Sequence, residues 1–470
     1  MPSKRFSLHF NRNNRDYEKI INALYCILSS YSLLKTSRKK DVAITGIDST
    51  LRPGNDFFRY VNGKWYDSVS IPASQSGVGA YMFMNFPQRI RLQGILDSIS
   101  KSNNPAGSIA QKVGDFYASG MDTVTIDKRG YTPIKPLLAK IEAISDLPSL
   151  MNFVVNEEKA GNYSIIGFGV SPDDKNSSMN IAQLYQTGLG LPDRDYYFKS
   201  DSSTVAIQEA YKKYLTVLFQ LTGSNAQEAK KNAGLVYDID KQLALSHKTK
   251  VELRDVQANY NKTAVADLAK RHPNIDWTTF LNNLGAKTDF INVGQPAYYD
   301  ALNKLLKTIP INNWKIYLKA NSIERYADDL SKPFVDASFE YTKVLSGQAV
   351  QKSRGEKMAN IVDNYLGEAL GELYVKKYFS EDAKKRMLVL VNNLQKAYAK
   401  RIDNLQWMSP ITKQKAKEKL FAITKKIGYP DKWRDYSNVN IARNAYFENV
   451  VSGSKASISI SIGKIGQASR

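Results

Sequence analysis

The chain has 470 residues, 43% of them apolar and 24% charged, which are the proportions of a soluble globular protein. That length holds roughly two to four domains, or one large helical domain with appendages. Its 66 Lys and Arg against 45 Asp and Glu give a net charge of +21, but +7 of this lies in residues 1–40 and no RNP-like pattern, zinc-knuckle spacing or basic–aromatic stripe accompanies it, which argues against nucleic acid as a partner.

In chain order, residues 1–40 read as a candidate signal or anchor segment. Residues 20–34 (IINALYCILSSYSLL) are mostly apolar, follow Lys4, Arg5, Arg12, Arg15 and Lys19, and end at Lys35, Arg38, Lys39 and Lys40. The stretch is shorter than the roughly 20 residues that cross a bilayer. No Ala-x-Ala-like cleavage site follows, and Tyr25 before Cys26 breaks a lipoprotein box. A short amphipathic or buried helix is the alternative. Export to the periplasm or cell envelope has the edge over a cytoplasmic location. The single cysteine, Cys26, excludes an internal disulfide framework and fits both locations.

Pro53-Gly54-Asn55 predicts a turn into a short aromatic helix. From about 84 the pattern is mainly helical, with SIIGFGVS at 164–171 as one of the few strand signals. Tyr365, Leu366, Ala369, Leu370, Leu373, Tyr374 and Tyr378 form one apolar helix face, and Gly367 and Gly371 leave room for another helix to approach. Further on, Ser409 predicts an N-cap with Pro410 at the first helical position. Ile411, Ala416, Leu420, Ile423 and Ile427 form a predicted buried stripe, and Gly428 with Pro430 stops the helix. The tail VSGSKASISISIGKIGQASR is Ser-rich with short alternation and predicts at most an isolated strand.

The chemistry available from the residues alone is sparse. Zinc hydrolysis on a helix needs two His four residues apart with a neighbouring Glu as base. His9, His247 and His272 offer no such pair, so each reads as a surface or turn residue. Glu368 and Glu372 share a helix face, where pairing of Glu372 with Lys376 is the plainer reading than a shared cation. The stretch QTGLGLPDRDYYF at 186–198 crowds Asp193, Arg194 and Asp195 into a Gly/Pro-broken loop, more in keeping with a structural ion pair than with acid–base work. No Ser or Cys nucleophile motif and no Gly-rich phosphate loop after a strand is present. These residues assign no catalytic, metal or substrate-binding side chain.

Six stretches, in order, change the reading: GNDFFRYVNGKW at 54–65, GLGLPDRDYYF at 188–198, LRDVQANYNK at 253–262, LGEALGELYVKKYF at 366–379, LQWMSPITKQKAKEKL at 405–420 and IGYPDKW at 427–433. Together they resemble the neprilysin family of zinc metallopeptidases, to which the endothelin-converting enzymes and oligopeptidase O belong. The resemblance implies that 186–198 is a scaffold loop of the non-catalytic helical half. It implies a zinc cofactor that polarises the scissile carbonyl and activates water. The family's His-Glu-x-x-His helix does not occur in these 470 residues, although an Asn-Ala-Tyr tripeptide stands at Asn444–Tyr446. Some animal relatives grip a substrate carboxylate with two arginines, and the matching positions here are Gly77 and Asn85, neither able to pair bidentately.

The expected fold is therefore mainly α: a large multi-helix domain with a few short strands, plus fragments of an incomplete α/β, thermolysin-like catalytic domain. Residues 41–75 are expected to pack on that catalytic domain, 76–430 to form the helical domain, and 431–470 to begin the catalytic domain, truncated before the zinc motif. Phe57, Phe58, Trp65 and Trp433 then risk exposure. The expected function is the substrate-enclosing portion of a zinc metalloendopeptidase acting on peptides, inactive alone. The alternative is a non-catalytic peptide-binding or interaction protein derived from that fold.

Overall fold

The computed structural model describes residues 46–469, so His9, Cys26 and the apolar stretch 20–34 lie outside the described residues. Two compact units divide the chain, one ending at Pro72 and the other beginning at Ala73. The described residues hold 17 α-helices and one four-stranded sheet, in agreement with a mainly α fold.

In the first unit the predicted turn and helix are both present. Asn55 N donates to Arg52 O at 3.0 Å, and the helix Phe57–Ser68 follows, capped by the Asp56 side chain on Arg59 N. Gly63 lies under Asp48, whose side chain a Cβ would meet at 2.9 Å. Phe57 and Phe58 are exposed, as expected, whereas Trp65 is half-buried.

The second unit has two apolar cores. The larger surrounds a sheet of strand order β1-β2-β4-β3: β1 (Gly167–Asp173), β2 (Asn176–Tyr185), β3 (Lys262–Ala264) and β4 (Phe290–Val293). β1 and β2 pair antiparallel, with Gly167 opposite Tyr185; β4 pairs parallel to β2 and antiparallel to β3. β1 overlaps the predicted strand 164–171 but starts three residues later, at Gly167. Trp277, Trp314, Tyr298, Tyr299 and Tyr317 are among the fully buried side chains of this core.

The smaller core joins the helices Ala80–Ser100, Ile109–Met121 and Arg354–Tyr378. On the last of these the predicted apolar face is largely correct, since Leu366, Ala369 and Leu370 are buried while Tyr378 is exposed. Non-helical angles at Leu366 kink it. The space beside Gly371 is taken by the Trp433 ring, at 3.8 Å from where a Cβ would stand, and not by a second helix. The resulting loop is held by Glu368, which accepts Arg434 N at 2.8 Å.

Two expectations fail, for different reasons. Ser409 does cap the helix Pro410–Phe421, but no residue of that helix is buried, and Ile411 and Ile423 are 75% and 58% exposed. It packs chiefly on the helix Glu381–Asp403, itself without a buried residue, so much of its apolar stripe stays exposed. The helix ends at Phe421, before Gly428 and Pro430 are reached.

The tail is the other failure. Tyr446–Ile462 is a helix, not a strand. Its small residues are contact points: Gly453 lies against the Tyr365 ring, and Ser454 Oγ donates to Ala160 O at 2.6 Å. Close approach of this kind outweighs the weak helix propensity of Ser and Gly. With Tyr436, Val439, Tyr446 and Val450 buried in the smaller core, packing continues past the boundary expected near 430.

Candidate functional site

The loop at 186–198 is built around one buried carboxylate. Asp240, 1% exposed on the helix Ala226–Ala244, accepts from the hydroxyls of Tyr197 and Tyr211 at 3.0 Å each and from Gly190 N at 3.3 Å. Tyr197 in turn accepts from Leu191 N at 2.9 Å, and Tyr317 donates to Gly188 O at 2.5 Å. Gly188 has φ +87°, a conformation that favours glycine, and a Cβ at Gly190 would overlap the Tyr211 hydroxyl. Burial pushes Asp240 up to about 7 against the lowering effect of its three donors; burial and the Asp240 charge together push Glu324 up to about 8.

The Asp-Arg-Asp cluster does not form the internal ion pair expected of it. Asp193 caps the short 3-10 turn Arg194–Tyr197 by accepting Asp195 N at 2.8 Å, and pairs with Lys250 at 2.9 Å. Arg194 Nε donates to Ala244 O at 3.4 Å, at the end of the Asp240 helix, with its guanidinium 5.5 Å from the Phe198 ring centre. Turn geometry aims Arg194 away from both aspartates. Asp240, and not the Asp-Arg-Asp triplet, holds the loop. A trace of this lies in the sequence: Asp240 falls on the same stripe as Val236, Ile239 and Leu243, where a charge is out of place.

The stretch at 253–262 is held by side-chain hydrogen bonds. Asn259 Nδ2 donates to the carbonyls of Glu252 and Asp255, and its Oδ1 accepts from Lys248 and Gln295 at 3.0 Å each. Tyr260 donates to Asp173 at 2.8 Å, joining this turn to the sheet.

Zinc is the cofactor the sequence resemblance implies, and the described histidines do not suit it. His247 is buried, with Nε2 3.1 Å from Thr187 O and its ring edge-on to Tyr298; burial pulls its pKa down to about 4. His272 Nε2 meets Asp300 at 3.0 Å, and Asp300 is also held by Arg271. Neither is a surface residue. Among the described residues no group of three His, Cys, Asp or Glu side chains converges as a metal site. Glu372 pairs with Lys376 at 2.7 Å, as expected.

Gly77 and Asn85 are brought together. Both line a cavity of about 350 Å³ at the start of the helix Ala80–Ser100, with Gln75, Tyr81 and Arg89. Its one arginine, Arg89, pairs with Glu356 at 2.9 Å.

Comparison with known proteins fits this scaffold. Residues 53–430 match peptidase family M13, most of the chain, and the protein belongs to that family, the neprilysin family. The chain is 24% identical over 462 residues to mouse membrane metallo-endopeptidase-like 1, covering 90% of this chain and 59% of the relative. It is 27% identical to Neprilysin-3 of Drosophila melanogaster, covering 90% and 56%. Among solved structures, the Mycobacterium tuberculosis zinc metalloprotease Zmp1 in complex with inhibitor superposes with a TM-score of 0.85 at 31% identity, over 91% of this chain and 65% of that one. PepO from Lactobacillus rhamnosis shares the fold, with a TM-score of 0.80 at 21% identity. The chain thus spans under two thirds of the length of these curated relatives.

Proposed function

We propose that this chain is the helical, substrate-enclosing portion of a neprilysin-like zinc metalloendopeptidase, and that by itself it neither holds catalytic zinc nor cleaves peptides. The observation that carries the reading is the family match over 53–430 combined with histidines committed to Thr187 and Asp300. Those side chains do not fit a zinc site, so no catalytic step is assigned to them. The residues from 431 onward are read as the beginning of the catalytic domain. The exposed apolar face of the 381–423 hairpin, with Leu390, Leu394, Tyr398, Trp407 and Ile411 all more than half exposed, supports a portion that works against a further protein layer.

Export to the envelope belongs to the same reading and rests on the apolar stretch at 20–34 between basic clusters. No helix among the described residues is long and apolar enough to cross a membrane. The second reading, a non-catalytic peptide-binding protein, draws on the burial of Tyr436, Val439 and Tyr446, which suits a fold complete in itself.

The deciding experiment incubates purified protein with an unstructured peptide and added zinc. No chelator-sensitive cleavage is expected; such cleavage, abolished by chelation and restored by zinc, overturns the reading.

A further inference from the structure

A second place in the fold gathers charge that scaffolding does not use. The helices Lys332–Ser346 and Arg354–Tyr378 both begin beside the short helix Thr123–Arg129, where the chain encloses a cavity of about 310 Å³. Its lining includes four basic side chains, Lys332, Lys352, Arg354 and Lys357, and two acidic ones, Asp127 and Asp336.

Both carboxylates are already engaged. Asp336 pairs with Lys332 and accepts from Gln351 at 3.0 Å, while Asp127 accepts Lys332 N at 2.7 Å. Three cations remain. Lys357 Nζ donates only to the neutral Gln351 Oε1, at 2.6 Å, and burial pulls its pKa down, with Arg354 and Lys332 adding repulsion against the pull of Asp328 and Asp336. Lys352 makes no ion pair or hydrogen bond to the described residues. Arg354 donates Nε to Gly120 O at 2.7 Å and lies over the Tyr446 ring, leaving Nη2 buried without an acceptor. Gathering like charges in a half-buried concavity is costly unless an anion joins them.

We infer that this cavity binds a small phosphate-class anion, held by the Lys352 and Lys357 ammonium groups in front of the Arg354 guanidinium. Four basic groups of the lining face two acidic ones, with Asp328 outside the lining also pulling on Lys357, and the volume admits phosphate with room for the rest of a small phosphomonoester. The N-terminal ends of the two helices add positive potential on the same side. Leu330 and Phe334 belong to the larger core and Ile126 and Met358 to the smaller, so an occupant here ties the two cores together.

Thermal unfolding of the full chain at low ionic strength tests this, with inorganic phosphate titrated against chloride at matched ionic strength. A saturable rise of a few degrees is expected with phosphate. In the Lys352→Gln/Lys357→Gln double variant the apparent affinity should fall at least about tenfold, the loss of charge-assisted hydrogen bonds. Without phosphate that variant should melt no lower than wild type, because two repelling cations are gone. A parallel titration with glucose 6-phosphate distinguishes the source: tighter binding than phosphate identifies a phosphomonoester, equal binding the free ion. No saturable rise, or an undiminished rise in the double variant, overturns the proposal.

Discussion

Replacing Asp240 separates two contributions that a buried carboxylate makes to this fold. In Asp240→Ala the hydroxyls of Tyr197 and Tyr211 and the Gly190 N–H lose their common acceptor. Each buried donor left without a partner costs about 1–3 kcal/mol, so a loss of about 4 kcal/mol is expected. Asp240→Asn keeps an acceptor oxygen of the same shape and removes only the charge. The sign of the pH effect follows from linkage. The folded pKa, about 7, lies above the unfolded value near 3.8, so the folded state binds more protons between the two. The stability due to this group is therefore full below the unfolded value and falls as pH rises toward the folded one. From pH 5 to pH 8 about two pKa units are crossed, at about 1.4 kcal/mol each, or about 3 kcal/mol. Glu324 moves in the same direction, and relieving it of the Asp240 charge adds to the gain. Urea unfolding followed by circular dichroism at both pH values measures the effect. The stability margin of the Asp240→Asn variant over wild type should grow by about 3 kcal/mol between pH 5 and pH 8. An unchanged difference between the two pH values would mean that the carboxylate is ionised throughout in the fold, and the reasoning would be wrong.

Arg194→Ala should lower stability by about 1 kcal/mol, through the lost Ala244 contact, without altering which peptides associate; unaltered melting with lost peptide binding would make the loop a recognition element. Gly190→Ala should cost more than about 3 kcal/mol, because its Cβ meets the Tyr211 hydroxyl that Asp240 holds in place, and a chemical-denaturation midpoint close to wild type would contradict that geometry. Limited proteolysis should spare 436–450, where Tyr436, Val439, Tyr446 and Val450 are buried; early cleavage there would show that the tail is not part of the core. Fusing residues 1–40 to a reporter should carry it out of the cytoplasm, and retention there would remove export from the functional reading.

What could be read from the chain depended on how local the determining physics is. The turn at 53–55 into a helix, the strand signal at 164–171, the Ser409 cap and the Glu372–Lys376 pair are legible in the chain itself. Histidine placement was legible only by spacing. That spacing ruled out a helical zinc pair but did not reveal that His247 and His272 are interior, since their partners Thr187 and Asp300 lie 60 and 28 residues away. In the Asp-Arg-Asp cluster adjacency in sequence does not produce pairing. Three successive residues in a tight turn point in different directions, and Arg194 found its acceptor 50 residues on.

The two misread helices show opposite limits of periodicity. Ile411, Ala416, Leu420, Ile423 and Ile427 have helical spacing, but an apolar stripe specifies only that something should cover it, not that this chain supplies the cover. In the tail the periodic signal is weak because the packing residues are Gly453 and Ser454, which hydrophobic patterning ignores. There the helix is set by close approach to Tyr365 and Ala160, contacts nearly 90 and nearly 300 residues distant in sequence. Substituting Leu for Gly453 would improve local helix propensity and still damage the fold, since its Cβ alone would stand 2.8 Å from Tyr365. Small residues in a Ser-rich stretch therefore mark a buried crossing as readily as a disordered end, and only the partner surface distinguishes the two.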